Sequence, residues 1–417
     1  FSFVMGKGKN KNKEDRTSAT GGSSRTRAGR HSDYDDSDCE SVSTHITLDD
    51  DMRSCQGADD SEEMIGSGIM DTICEHMDNA THKNVSIRLA ALRQLYLILA
   101  SNYMGNELIK YKATLADLSL KAVKKTDEEC IAGCQLLAVV ATQLGEEFSS
   151  EVPECLVLLC PIMTDSSRIL GVRSTAALSI GITAYFSCFT EDVYAGCFKS
   201  LCDTWGTFKV GTQYTSLFCS SLDAWCLLLD RGDNQLLSTA IALQPKLVAF
   251  VEGSQLEMRV SAGEALAFLY DVVASKRSGY RFPNHDHLVR ILGDLASESG
   301  KSKTKKDKRV QKMTFRQIYS FIAEEEAPSL TIKLDKENLL LDSCTYKMVY
   351  DRLTELLRGG MRRQLKKNEL LRDFFDLGAP VEEGGEKISK ANRMAIQNSI
   401  NKIRDQARSK QRDKRSC

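Results

Sequence analysis

Five short segments recur along the middle of the chain at intervals of 42, 43, 43 and 43 residues. They are Arg88-Leu89-Ala90-Ala91-Leu92, Cys130-Ile131-Ala132-Gly133-Cys134, Arg173-Ser174-Thr175-Ala176-Ala177, Ser216-Leu217-Phe218-Cys219-Ser220 and Arg259-Val260-Ser261-Ala262-Gly263. In four of the five, small residues fill the third and fourth places, where one helix could approach its neighbour closely. A period of about 40–47 residues is that of armadillo and HEAT repeats, with two or three helices per unit. A unit of that size cannot bury its apolar face alone, so units stack into a superhelix with an extended concave surface. From about Gly68 to Ser299 prolines are few and no strand-like alternation breaks the pattern. The reading is a predominantly all-α chain, an armadillo/HEAT-like α-solenoid of five units over residues 67–299.

The near-neutral net charge of −1 conceals strong segregation. Residues 5–30 hold eight Lys/Arg against two acids, and residues 31–63 hold twelve Asp/Glu against one Arg. Residues 301–316 carry eight Lys/Arg to one Asp, and 387–416 ten to two. Such blocks point to segments that interact electrostatically. Residues 1–66 have too few bulky apolar side chains to offset chain entropy and read as a disordered charged tail. Phe1–Val4 read as leader or cloning residues, with Met5 the natural start.

Gly300–Lys312 reads as a basic linker. A C-terminal module over 313–380 follows. It opens with a helix over Val310–Glu326, continues with strands at Leu330–Leu334 and Leu339–Asp342, and ends in two helices, Thr345–Arg358 and Met361–Leu377, joined by Gly359-Gly360. The expectation is a small α+β module packed on the end of the solenoid. Residues 381–417 then form a basic helix or tail, proline-free and glycine-free from Ile388 to Arg415.

The last helix of the module is the most distinctive stretch. Met361, Leu365, Leu370, Leu371, Phe374 and Phe375 share one face, while Arg362, Arg363, Lys366, Lys367 and Arg372 occupy the rest. Its end, Leu370-Leu371-Arg372-Asp373-Phe374-Phe375-Asp376-Leu377-Gly378-Ala379-Pro380, resembles the C-terminal signature of the interferon-related developmental regulator family. Four further segments agree in order: Met258–Ala267, the basic run Lys305–Lys312 with Phe315-Arg316 after it, Thr331-Ile332-Lys333, and Ala407–Arg415. The resemblance runs from about residue 67 to the end and implies an armadillo-like N-terminal domain. It also implies association with silent ribosomes or, in the family's older description, nuclear recruitment of histone-deacetylase corepressor complexes.

No residue pattern argues for catalysis. There is no phosphate-cradling glycine loop and no nucleophile–base arrangement. No Cys-x-x-Cys pair occurs among the fourteen cysteines, most of which sit in apolar helical patterns as small core residues. His285-Asp286-His287 reads as a capped helix start rather than a metal site. Asn84-Val85-Ser86 matches a glycosylation sequon that an intracellular chain would not use. The expectation is a soluble, non-enzymatic cytoplasmic protein, with a nuclear pool if the basic runs act as import signals. It needs no cofactor, metal, membrane or small-molecule substrate.

The functional residues expected are cationic. In the tail they are Lys387, Lys390, Arg393, Lys402, Arg404, Arg408, Lys410, Arg412, Lys414 and Arg415, spread around a helix as suits an RNA-lined channel. A secondary patch comprises Lys303, Lys305, Lys306, Lys308, Arg309, Lys312, Arg362, Arg363, Lys366 and Lys367. The partner expected is the ribosome, through rRNA and ribosomal proteins. The alternative is a corepressor scaffold docked on the concave face.

Overall fold

The computed structural model describes residues 66–277, 279–297, 305–334, 337–380 and Lys402. The expected disordered segment before residue 66 and the basic segment after Pro380, Lys402 excepted, lie outside the described residues.

Ten helices form five antiparallel pairs: α1 (Gly66–Asn79) with α2 (Val85–Ser101), α3 (Lys112–Val123) with α4 (Asp127–Leu144), α5 (Val152–Thr164) with α6 (Leu170–Ser187), α7 (Glu191–Thr207) with α8 (Thr215–Asp230), and α9 (Asn234–Val251) with α10 (Leu256–Lys276). The five recurring segments all fall in the first turns of the even-numbered helices. These helices pack on one another in succession, α2 on α4, α4 on α6, α6 on α8 and α8 on α10, and so form a continuous ladder. The odd-numbered helices back them.

The helix starts are set locally. Asn84 caps α2 by accepting the Ser86 N–H at 2.8 Å, which is what the sequon-like triplet does here. Thr126 caps α4 and donates its hydroxyl to Glu129 at 3.0 Å. Glu129 is buried and also pairs with Arg88 of the preceding ladder helix at 2.8 Å. Burial opposes its ionisation, but hydrogen bonds from Arg88 and Thr126 and the charges of Arg88 and Lys125 outweigh burial and hold its carboxyl below the ordinary value.

A close approach between ladder helices falls at a register other than that of the recurring segments. A Cβ on Gly181 would lie 2.6 Å from the Cβ of Ala224, inside any real contact. One period away on either side stand Ala138 and Ala267, both buried, so the 43-residue spacing recurs here as a row of small residues.

The chain departs from expectation beyond α10. Helix α11 (His285–Ser297) pairs with α12 (Lys305–Glu324), and α12 also packs on α10, continuing the ladder by a sixth helix. Gly263 makes room for it: an added Cβ would meet the Phe315 ring at 2.9 Å. Lys305–Lys312, expected as linker, therefore forms the first turns of a solenoid-packed helix. Strands β1 (Leu330–Leu334) and β2 (Glu337–Leu341) follow as an antiparallel hairpin, with Ile332 opposite Leu339.

Helix α13 (Cys344–Leu357), a tight turn over Arg358–Gly360, α14 (Met361–Lys367) and α15 (Glu369–Phe374) complete the described chain. They do not sit on the end of the solenoid. Helix α13 contacts α10, α8, α4 and α2; α14 reaches α2 and α15 reaches α4. The module runs back along the ladder to the first repeat. The helix expected over Met361–Leu377 is broken at Asn368, whose extended backbone ends α14 while its side chain caps α15.

Candidate nucleic-acid interface

The module is held to the ladder by polar groups at regular steps. The Cys344 N–H donates to Asp271 of α10 at 3.0 Å. Lys347 bridges Glu264 of α10, at 3.2 Å, and Asp351, at 2.8 Å. Arg352 reaches Asp223 of α8 at 2.6 Å and Glu355 at 3.1 Å. Asp223 is enclosed, and desolvation outweighs the Arg352 charge, pushing its carboxyl up to about 6. Burial works against the Lys347 cation, but Glu264 and Asp351 overcome it and raise its value.

Further on, the contacts become neutral. Tyr96 of α2 donates to the Leu356 carbonyl at 2.5 Å. Gln364 donates to the carbonyls of Leu99, at 2.8 Å, and Ala100, at 3.3 Å; Asn368, one turn later, donates to that of Thr142 at 2.8 Å. Leu99, Ala100 and Thr142 lie in the last turns of α2 and α4, whose carbonyls have no partner within their own helices. One face of α14, together with the Asn368 that follows it, thus caps two successive ladder helices with amide groups. Gly360 allows this approach, because a Cβ there would run into the Ala100 carbonyl.

Fixing Met361, Gln364 and Leu365 inward turns the opposite face of α14 outward. Arg362, Arg363 and Lys367 are exposed and make no ion pair among the described residues; Lys366 is half-buried. Arg358, also exposed, lies over the Tyr96 ring at 5.6 Å. The ladder carbonyls are satisfied by neutral amides, so Arg362, Arg363 and Lys367 remain open to an external anion.

Arg372 does not belong to this basic face, against expectation. It is buried and its donors are all taken: two by Glu337 and the others by the carbonyls of Leu365, Leu377, Gly378 and Ala379. The Asp376-Leu377-Gly378-Ala379 turn, with Asp376 and Gly378 at positive φ, wraps the guanidinium. Phe374 meets Tyr185 and Phe186 of α6 edge-on.

Of the expected tail residues only Lys402 is described, helical and exposed; Lys387, Lys390, Arg393, Arg404, Arg408, Lys410, Arg412, Lys414 and Arg415 lie outside the described residues, as does Lys303. Lys305, Lys306, Lys308 and Arg309 lie on the first turns of α12, and Lys312, one turn on, is half-buried. Gln364 and Asn368 were not foreseen, although their four-residue spacing with Met361 and Leu365 on the same face was there to be read. Among the described residues no group of three or more His, Cys, Asp or Glu is placed to hold a metal, and no helix is long and apolar enough to cross a membrane. Asp286 at the start of α11 pairs with Arg281 at 2.6 Å.

Stacked helix pairs along a continuous ladder, covered by the chain's own C-terminal helices, define an armadillo-type helical-repeat protein. Sequence comparison carries this further. A family model described as interferon-related developmental regulator matches residues 36–323, and one described as interferon-related protein conserved region matches residues 368–416. The chain is 31% identical over 363 residues to Interferon-related developmental regulator 1 of Mus musculus, covering 82% of this chain and 80% of that protein. It is 28% identical over 403 residues to Interferon-related developmental regulator 2 of the same organism, covering 91% and 89%. Among solved structures, a designed armadillo repeat protein overlays with a TM-score of 0.40 at 16% identity, covering 59% of this chain and 99% of that one. A Kap121p mutant overlays with a TM-score of 0.47 at 14% identity, covering 77% and 36%. The chain belongs to the interferon-related developmental regulator family.

Proposed function

We propose that this chain is a non-enzymatic, ribosome-binding translational repressor. Its solenoid docks on the ribosome, and its basic C-terminal helix enters an rRNA-lined channel, excluding mRNA or tRNA sterically with no chemistry required. The observation that carries this reading is the density of positive charge in two segments: Arg362, Arg363 and Lys367 stand exposed on α14, and residues 387–416 hold ten Lys/Arg against two acids. Phosphates neutralised by such a run release counterions, so binding is strong at low salt and falls steeply as salt rises.

The corepressor reading ranks second. It needs the ladder face for its partner, and α13–α15 would first have to leave that face.

Sucrose-gradient sedimentation of lysates expressing the intact chain, or the chain ended after Pro380, tests the proposal. The intact protein should co-migrate with ribosomes and the truncated one should not. An intact protein that stays at the top of a low-salt gradient sinks the reading.

A further inference from the structure

A second cationic feature lies far along the chain from α14 and was not foreseen. The end of α10, the loop 279–284 and the end of α12 line an open cavity of about 400 Å³, within the range that holds a small ligand. Its wall is aromatic. Phe282 is buried, with the Tyr270 ring stacked on it at 4.5 Å and the Tyr280 ring edge-on at 5.2 Å. Tyr280 remains exposed at the rim.

The loop is built to hold this arrangement. Gly279 adopts φ +73°, which L side chains rarely take, and Pro283 restricts the residue before it to extended backbone. Phe282 accordingly turns inward while Tyr280 and Arg281 stay exposed at the cavity rim. Arg277 and Arg281 both line the cavity. Each guanidinium commits one nitrogen, Arg277 to the Ser238 hydroxyl at 2.7 Å and Arg281 to Asp286 at 2.6 Å. The second pair is well exposed and therefore weak, so most donors of both groups are available. Glu325 is the one acid among the lining residues and sits at φ +56°, an uncommon conformation for its type. Burial first, then the Arg281 charge, pushes the His285 imidazole below its ordinary value, so it adds no cation near neutral pH.

An exposed aromatic ring, two guanidinium groups and a single carboxylate around one cavity match one ligand chemistry: a flat base with hydrogen-bond donors on its edge and a phosphate attached. We infer that this cavity binds a guanine nucleotide, the base stacked on Tyr280 with its N1–H and amino group toward Glu325, and the phosphate held by Arg277 and Arg281. The source is single-stranded RNA or free nucleotide. Binding here does not depend on the ribosomal reading, because the residues involved are separate from α14 and the tail.

The test is titration of the intact chain with GMP, UMP, inorganic phosphate and fluorescent G-rich and U-rich single-stranded oligoribonucleotides. The same titrations use Tyr280→Ala, Arg281→Ala, Glu325→Gln and Tyr280→Trp, with circular dichroism as the folding check. Loss of the stack should weaken guanine binding about tenfold or more, and Tyr280→Trp should restore it. Glu325→Gln should erase the preference for G over U. Binding of GMP itself identifies a free-nucleotide site; binding of the oligonucleotide alone, weakened by Tyr280→Ala, identifies RNA. The inference is overturned if phosphate competes as well as GMP, or if a phosphotyrosine peptide binds and nucleotides do not. It is equally overturned if oligonucleotide binding is indifferent to Tyr280→Ala and lost only with the tail arginines and lysines, a result that would leave the ribosomal reading standing.

Discussion

Arg372 and Glu337 face each other through two parallel hydrogen bonds, Nη1 to Oε2 at 3.0 Å and Nη2 to Oε1 at 3.1 Å. The pair ties α15 to the start of β2, and the remaining guanidinium donors hold four carbonyls. Lysine has neither the fork nor the number of donors. Arg372→Lys keeps the charge but leaves buried carbonyls without a donor, and should destabilise the module by about 1–3 kcal/mol. Hydrogen exchange over residues 344–380 reads this directly. Protection equal to that of the unaltered chain would mean the pair is not what closes the module.

Adjacent glycines at the turn between α13 and α14 should behave oppositely. A Cβ on Gly359 meets nothing within 4 Å, whereas one on Gly360 meets the carbonyl of Ala100 and the backbone of Ser101. Gly359→Ala should leave the thermal midpoint nearly unchanged. Gly360→Ala should cost about 1–3 kcal/mol or more and expose α14 to proteolysis. Equal effects of the two substitutions would show that α14 does not press on α2.

How much of this was legible in the sequence depends on what each feature needs. The 43-residue period reports which helices form the ladder, because identical neighbours impose identical spacing, and Arg88, Cys130, Arg173, Ser216 and Arg259 all fall where the period puts them. The two strands were legible as two short apolar runs, whereas their antiparallel pairing comes from the structure. What spacing cannot report is the return of the module along the ladder. That depends on Gln364 and Asn368 meeting carbonyls more than 200 residues away, and an amide on a short helix looks the same whether it caps a distant helix or faces water. Arg372 was misread for a related reason: helical periodicity places it on the basic face, but the chain leaves the helix at Asn368 and rotates that face inward.

Asp223 makes a pH prediction. Its carboxyl is pushed up to about 6 in the folded chain, against about 3.9 when unfolded. Between those values the folded state holds a proton that the unfolded state has released, so this group's contribution falls as pH rises from about 4 to 6, by roughly 3 kcal/mol in all. Asp223→Asn has no such titration. The stability of the unaltered chain relative to the Asn variant should therefore decline from pH 4 to pH 7. A constant difference across that range would mean Asp223 is already ionised at pH 4.

The exposed cations of α14 can be separated from its anchors, because Arg362, Arg363 and Lys367 point away from the groups that fix the helix. Replacing all three with Ala should change the unfolding free energy by no more than about 0.5 kcal/mol per site, as expected for surface substitutions. If each contacts a phosphate, ribosome affinity falls. The slope of log affinity against log salt also becomes shallower by roughly two units, three contacts at about 0.7 each. The slope is the informative quantity, since a folding defect would lower affinity at every salt concentration and leave the slope unchanged. An unaltered slope with unaltered affinity would confine the electrostatic contact to the residues after Pro380, and α14 would then be a capping element for α2 and α4 alone.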